Sequence, residues 1–391
     1  MTLAALPAAP PPGVPSGIQV PQRQAPLDGL RALAMLPVIA VNWIGYAALP
    51  DGGPLAAPQP TVSLVAQAVL ALVAALLAGK GLTLLSFLFG YSQAVSFRVR
   101  RRHTASSANA DPAWHRGRRM RRLLWIGLAH GLLVYAGDIL TAYALCGLLM
   151  LRAPALRLRQ LRRRIWVWGG IAVLLLAPSL LWLVFDSRLF APEPLRSLAA
   201  PASWADWWTL NAGHYLLMQL GFVLQGLPLF LAWMLAGLMA GRLKLLTHAR
   251  WRSVLQRWAG RWLLPGLLLN VIFGWAWSQA LLDQNRQLDL VYGLLSVFAA
   301  LLLLIGLVPW LLLHGQRWLI ALAPAGRHTL SLYLGSSLLS LACFSGVGLA
   351  LPWGTLALLA ASLLYWAGWV MLARSLGPRR RLPLETWLGS A

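Results

Sequence analysis

RRLLWIGLAHGLLVYAGDILTAYALCGLLMLR, residues 121–152, holds two apolar runs flanked by arginine and broken once, at Gly137-Asp138. Within those runs the one ionisable residue of acid–base interest is His130, and the single small-and-acidic break is the kind of step at which a chain reverses. Basic residues at both ends of an apolar hairpin mark the side from which it enters a bilayer. The stretch therefore predicts a helical hairpin, Leu123 to Arg152, with His130 near mid-membrane and Gly137-Asp138-Ile139 at the outer bend.

Working outward, similar apolar stretches recur at about 32–49, 81–97, 165–185, 214–241, 262–282, 290–313, 329–347 and 355–374. Many approach the twenty or so residues that a helix needs to cross roughly 30 Å of hydrocarbon. The chain of 391 residues is 59% hydrophobic and only 11% charged, and its mean hydropathy is +0.66. A soluble domain needs more polar surface than this, so a soluble enzyme is excluded. The expected fold is all-α: a polytopic transmembrane helical bundle of about ten crossings with both termini cytoplasmic. Segment 62–79 is expected to lie at the outer interface or fold back as a re-entrant helix, because an eleventh crossing there would turn Arg98 to Arg122 outward. Residues 1–27, rich in Ala and Pro, read as a disordered cytoplasmic tail, 28–375 as the membrane domain and 376–391 as a cytoplasmic C-terminal tail.

The formal charge of +23 would point to nucleic acid in a soluble protein. Here the arginines cluster in short connections, at Arg98 to Arg102, Arg116 to Arg122, Arg157 to Arg164 and Arg242 to Arg261, and so read as topology signals; no nucleic-acid partner is expected. Under ten crossings, all of the 33 basic residues except Lys80, Arg188, Arg196 and Arg286 fall inside or at the inner boundary, while Asp51, Asp138 and Asp186 lie outward. The outward loop near 186–213 carries Trp204, Trp207 and Trp208, suited either to an aromatic belt or to a ligand platform. Cys146 and Cys343 sit in apolar segments without metal or disulfide spacing; no metal site is expected, and no nucleotide-loop or nucleophile-elbow motif is present.

Ionisable groups inside spans are the natural candidates for chemistry. On the first helix Asp28, Arg31 and Asn42 share a face, since eleven residues return to within about 20°, and Asn42 lies about 16 Å deeper than Arg31. That stripe fits a polar path or, equally, an interfacial Asp–Arg pair with Asn42 bonded to a neighbouring helix. His130 fits a proton acceptor or a hydrogen-bonded structural residue; Asp138 would orient it if the bend returns the carboxylate, and would otherwise cap the next helix. Lys80 would snorkel or neutralise an anionic substrate. Arg327 opens a segment with Ser331, Tyr333 and Ser336, while Gln219, Gln225 and His214 are further candidates for a cavity wall.

Several motifs coincide: Leu27-Asp28-Gly29-Leu30-Arg31 followed by Asn42; Lys80 followed by Ser86-Phe87-Leu88-Phe89-Gly90; Arg118 to Arg122 followed by His130, Gly137-Asp138-Ile139-Leu140 and Tyr143; Gly326-Arg327 followed by Tyr333; and Pro383-Leu384-Glu385 with Trp387. With these the chain resembles the YeiB-type family of bacterial inner-membrane proteins, domain-of-unknown-function family 418. That family is in turn distantly similar to transmembrane acyltransferases, among them the type-3 acyltransferases and the lysosomal heparan glucosaminide acetyltransferase. The resemblance implies transfer of an acyl group from a cytosolic thioester to an envelope acceptor. It makes His130, Asp138 and Asn42 the expected catalytic group, and Asp28, Arg31, Lys80, Arg121, Arg122, Arg327 and Tyr333 the expected substrate contacts. Type-3 acyltransferases carry a histidine where this chain has Asn42, and an amide is no base, so His130 would take that role. The expected partners are the bilayer and acyl-coenzyme A or another anionic small molecule. A proton-coupled transporter or lipid-handling protein would use the same buried residues, and a scaffold would use them only to join helices.

Overall fold

A computed structural model describes residues 25–47, 64–104, 112–185, 203–282, 286–377 and 380–389. Among these the chain is helical, with no strand. The helices run α1 (Ala25–Ala47), α2 (Leu64–Leu76), α3 (Lys80–Thr104), α4 (Pro112–Leu133), α5 (Leu140–Leu149), α6 (Leu158–Phe185), α7 (Trp204–Gly221), α8 (Leu227–Leu243), α9 (Arg252–Leu282), α10 (Arg286–His314), α11 (Gln316–Gly326), α12 (Thr329–Phe344), α13 (Thr355–Ser375) and α14 (Pro383–Gly389). The N-terminal tail up to residue 24, the segment 49–61 with Asp51, and Asp186, Arg188 and Arg196 lie outside the described residues.

Six stretches among the described residues are long and apolar enough to cross a membrane, and α5 and α12 are shorter apolar helices. The surface pattern agrees: Trp166, Leu174, Leu264, Ile272, Trp318 and Leu364 all face outward. In water such a surface would drive aggregation, whereas in lipid it is the solvated face. This is a membrane-type helical bundle.

Helices meet closely where side chains are small. Gly90 of α3 lies against the main chain of Met234 on α8, and Gly237 of α8 lies against Phe87 of α3, so that these two helices dock backbone to backbone. The shared core joins Met120 and Leu123 of α4, Cys146 of α5, Leu161 of α6 and Met234 of α8. A second apolar cluster joins Val38, Ile39 and Trp43 of α1 to Leu332, Tyr333 and Phe344 of α12.

The thirteen residues of α2 extend about 20 Å, short of a full crossing. Its C-terminal end turns at Gly79 (φ 74°), a left-handed conformation that favours glycine, and α3 starts at once. Segment 376–391 is not only a tail: Pro383–Gly389 forms α14 and buries Leu388 in the core beside Met120 and Leu123.

Candidate functional site

The hairpin around His130 is unequal. The first arm, α4, has 22 residues, whereas α5 has 10 and extends about 15 Å. Beyond α5 the chain turns where Arg116 donates to the Leu151 carbonyl (2.6 Å) and Arg242 to the Leu156 carbonyl, which marks the arginine end of the bundle. From the opposite end, α7 starts at Trp204 with its N-terminus capped by Ser203, and the Tyr215 hydroxyl meets Thr141 Oγ1 at 2.9 Å. Eleven residues of α7 correspond to about 16 Å. The two lengths together equal about one hydrocarbon thickness, so a membrane bounded by Trp204 and the arginine end would hold the bend 134–139 about half-way through it.

Irregular backbone at that depth must find polar partners within the protein. Several of those partners are visible here. Asp138 accepts from the N–H groups of Leu140 (3.1 Å) and Thr141 (2.8 Å), capping α5. The Ile139 N–H donates to the Tyr333 hydroxyl (3.3 Å), which donates to the Gly137 carbonyl (3.4 Å). Gln219 Nε2 donates to the Asp138 carbonyl (3.2 Å). Asn211, fully buried, donates to the carbonyls of Gly131 (2.9 Å) and Leu132 (3.0 Å) at the end of α4.

The same bend returns the Asp138 carboxylate to His130, with Nδ1 to Oδ1 at 2.8 Å. The two side chains are 3% and 0% exposed, so this pair is shielded from bulk water. A carboxylate only accepts, so Nδ1 carries the hydrogen and Nε2 presents its lone pair. His130 Nε2 is buried and has no hydrogen-bond partner among the described residues. The ring of Tyr333 lies 5.1 Å from the imidazole and that of Tyr135 6.4 Å. Both sequence alternatives for Asp138 hold at once: it orients the histidine and caps the helix.

Gly127 makes this possible. A Cβ on it would stand 2.5 Å from Thr141 N, 2.6 Å from Thr141 Oγ1 and 3.0 Å from Asp138 Oδ2. Gly131 likewise gives its space to the Tyr215 ring. Neither glycine, nor Thr141, Tyr215, Tyr135 or Asn211, stands out in the sequence as a site residue. Their one signal is small residues spaced along a histidine-bearing helix.

The remaining candidates divide into separate groups. Asn42 borders the bend: its main-chain oxygen is 3.5 Å from the Tyr135 hydroxyl, and its Nδ2 is buried without a partner among the described residues. Asp28 and Arg31 pair with each other at the start of α1, Arg31 also reaches Ser92 of α3, and Arg327 Nε lies 3.8 Å from Asp28 Oδ2. This is an ion-pair cluster at the arginine end, set apart from the bend by the length of α1. Arg121 is exposed. Arg122 donates to the Trp387 carbonyl and lies over that indole ring at 4.8 Å. Lys80 does not snorkel: it is buried, and its Nζ donates to the Ala74 carbonyl (2.9 Å), capping the C-terminal end of α2. Of the tryptophans at the start of α7, Trp204 and Trp208 are exposed and Trp207 is buried. Among the described residues no three His, Cys, Asp or Glu side chains gather as a metal-ligand set.

Comparison with known proteins gives two likenesses. Residues 240–386 match the family model described as "Protein of unknown function (DUF418)". Over 276 residues the chain is 28% identical to the Escherichia coli (strain K12) protein named "Uncharacterized protein YeiB", an alignment that covers 63% of this chain and 67% of that one. The C-terminal part of the chain is thus similar to the DUF418 family. The segment that the DUF418 model matches contains Arg327, Tyr333 and Glu385, so it supplies the α12 side of the bend and the first turn of α14. His130 and Asp138 precede that segment.

Proposed function

We propose that this protein is a DUF418-type acyltransferase of the bacterial inner membrane, moving an acyl group from a cytosolic thioester such as acyl-coenzyme A to a hydroxyl or amine on the other side. The observation that carries this reading is the buried His130–Asp138 pair, with Nδ1 held on the carboxylate and Nε2 unpartnered. Asp138 cannot rotate away, because two backbone N–H groups fix it. A base held in one tautomer at mid-membrane suits a reaction whose two substrates arrive from opposite sides.

In this mechanism Nε2 removes the proton from the acceptor as its oxygen or nitrogen bonds to the thioester carbonyl carbon. The Asn42 amide donates to the developing oxyanion. When the C–S bond breaks, the imidazolium returns the proton to the departing thiolate, so that ester or amide and free thiol are the products. The Asp138 carboxylate stabilises the imidazolium between these steps. Arg121, Arg122 and Arg327 would hold the donor phosphates at the arginine end, taken as cytoplasmic, through charge-assisted contacts. There Asp28 fixes the orientation of Arg327, while Lys80, at the other end of α3, secures the α2–α3 turn.

The test is turnover of labelled acetyl-coenzyme A by protein in lipid nanodiscs. His130→Ala is expected to lower acyl transfer about 100-fold or more, the usual contribution of a positioned base. Folded wild-type protein that neither binds nor turns over the donor, yet moves protons with a solute in liposomes, would replace this reading with the transporter.

A further inference from the structure

At the arginine end, α14 packs against α4 and α12. Its Glu385 accepts from the Ser331 N–H (2.9 Å) and Ser331 Oγ (2.8 Å) in the first turn of α12, with His328 Nδ1 3.9 Å from the same carboxylate. Its Trp387 is held by Arg122 of α4, through the main-chain carbonyl and the indole face. Leu388 fills the gap between these anchors, packed in the core cluster with Met120, Leu123 and Leu330. The seven-residue α14 therefore bridges the two helices that carry His130 and Tyr333. His130 is eight residues beyond Arg122, about 12 Å further into the bundle.

A helix this short has no stability of its own, so docking alone keeps it formed. Its two polar anchors are of the kind that a phosphate takes: an arginine, and backbone and hydroxyl donors at a helix N-terminus. Before α14 the chain turns at Gly377 (φ 72°), and Arg380 and Arg381 are exposed.

We infer that α14 is a gate over the arginine-end entrance to His130, and that the polyphosphate end of the acyl donor opens it by competing with Glu385 and Trp387 for Ser331 and Arg122. This rests on the acyl-donor reading above, and it assigns that donor a docking place that the chain's own carboxylate fills in the closed state. The donor's affinity is then reduced by the population of the closed gate. Weakening either anchor tightens binding.

Hydrogen exchange of full-length protein in nanodiscs, with coenzyme A as the probe, tests this directly. Coenzyme A is expected to raise exchange in 383–389 and in the first turn of α12. Glu385→Gln is expected to raise both without ligand and to tighten the Kd for coenzyme A about tenfold. Trp387→Ala, acting on the other anchor, is expected to shift both in the same direction. Unchanged exchange across α9 and α10 shows that a variant is folded. Coenzyme A that binds while α14 stays protected overturns the gate and leaves the donor reading standing, as does weaker binding by both folded variants. Binding by neither wild type nor Glu385→Gln overturns both.

Discussion

Asp138→Asn separates the two tasks of that carboxylate while changing its shape very little. In the wild type three donors converge on it: His130 Nδ1 at 2.8 Å, Leu140 N at 3.1 Å and Thr141 N at 2.8 Å. An asparagine offers one carbonyl oxygen and one NH2 group, so it satisfies only part of this set. If the oxygen stays on the cap, the amide NH2 faces His130 and forces the ring to accept at Nδ1, which places its hydrogen on Nε2. If the oxygen stays on His130, the Thr141 N–H meets another donor in the protein interior. Charge-assisted hydrogen bonds contribute about 1.5–3 kcal/mol each, and a buried unsatisfied donor costs a similar amount. The expected loss is therefore about 2–4 kcal/mol, with a switch of tautomer in the first case. Nitrogen-15 spectra of histidine-labelled protein read the tautomer directly, and thermal unfolding in detergent reads the stability. An unchanged His130 tautomer together with an unchanged unfolding temperature would refute the assignment of Asp138 as both cap and orienting group.

Four further outcomes follow from the geometry. Gly127→Ala is expected to destabilise the fold by about 1–3 kcal/mol, because its Cβ would overlap Thr141 and press on Asp138. Gly169→Ala, whose Cβ would meet nothing within 4 Å, should stay within about 0.5 kcal/mol in the same unfolding assay or gain slightly. Tyr333→Phe removes the group that joins the Ile139 N–H to the Gly137 carbonyl, and should cost about 1–3 kcal/mol and raise amide exchange at Ile139. Accessibility of spin labels to oxygen and to a water-soluble nickel chelate measures depth: a label at Leu133 should report the bilayer centre, and one at Leu149 the arginine-end interface. Equal depth for the two would undo the mid-membrane placement of the bend.

Much of this site is legible in the sequence, and the reason is cost. An ionisable side chain within an apolar run is expensive in lipid, so His130 and the neighbouring Asp138 stand out, and the only open question is whether a turn brings them together. Asn42 is found in the same way. The depth of the bend is not legible, because an apolar run does not show how much of itself is helix: residues 139–151 read as a full arm, yet α5 takes up ten of them. The neighbours of Lys80 place it at a boundary, where a lysine snorkels or meets an anion. Its partner, the Ala74 carbonyl, becomes visible only once α2 is seen to end at Leu76. Gly127 is hidden for a similar reason, since the atoms that forbid a side chain there belong to Thr141, beyond the turn. The terminal motif with Glu385 and Trp387 can be read as a pattern, while its docking onto α4 and α12 depends on long-range packing that no local pattern encodes.

The bend and the base are two aspects of one constraint. A proton acceptor reachable from both faces has to sit near the membrane centre, and a helix running straight through it would have no carboxylate at hand to orient its imidazole. Reversing the chain at that depth brings Asp138 back to His130, but it also frees backbone groups that hydrocarbon cannot satisfy. Asp138, Tyr333, Gln219 and Asn211 satisfy several of them. One of these, the carboxylate, serves the imidazole as well, and another, Tyr333, packs against it. Substitutions that weaken the proposed chemistry will therefore also loosen the hairpin. Measurements at this site need a structural readout beside the chemical one, and the histidine tautomer, which registers orientation without requiring turnover, distinguishes the two.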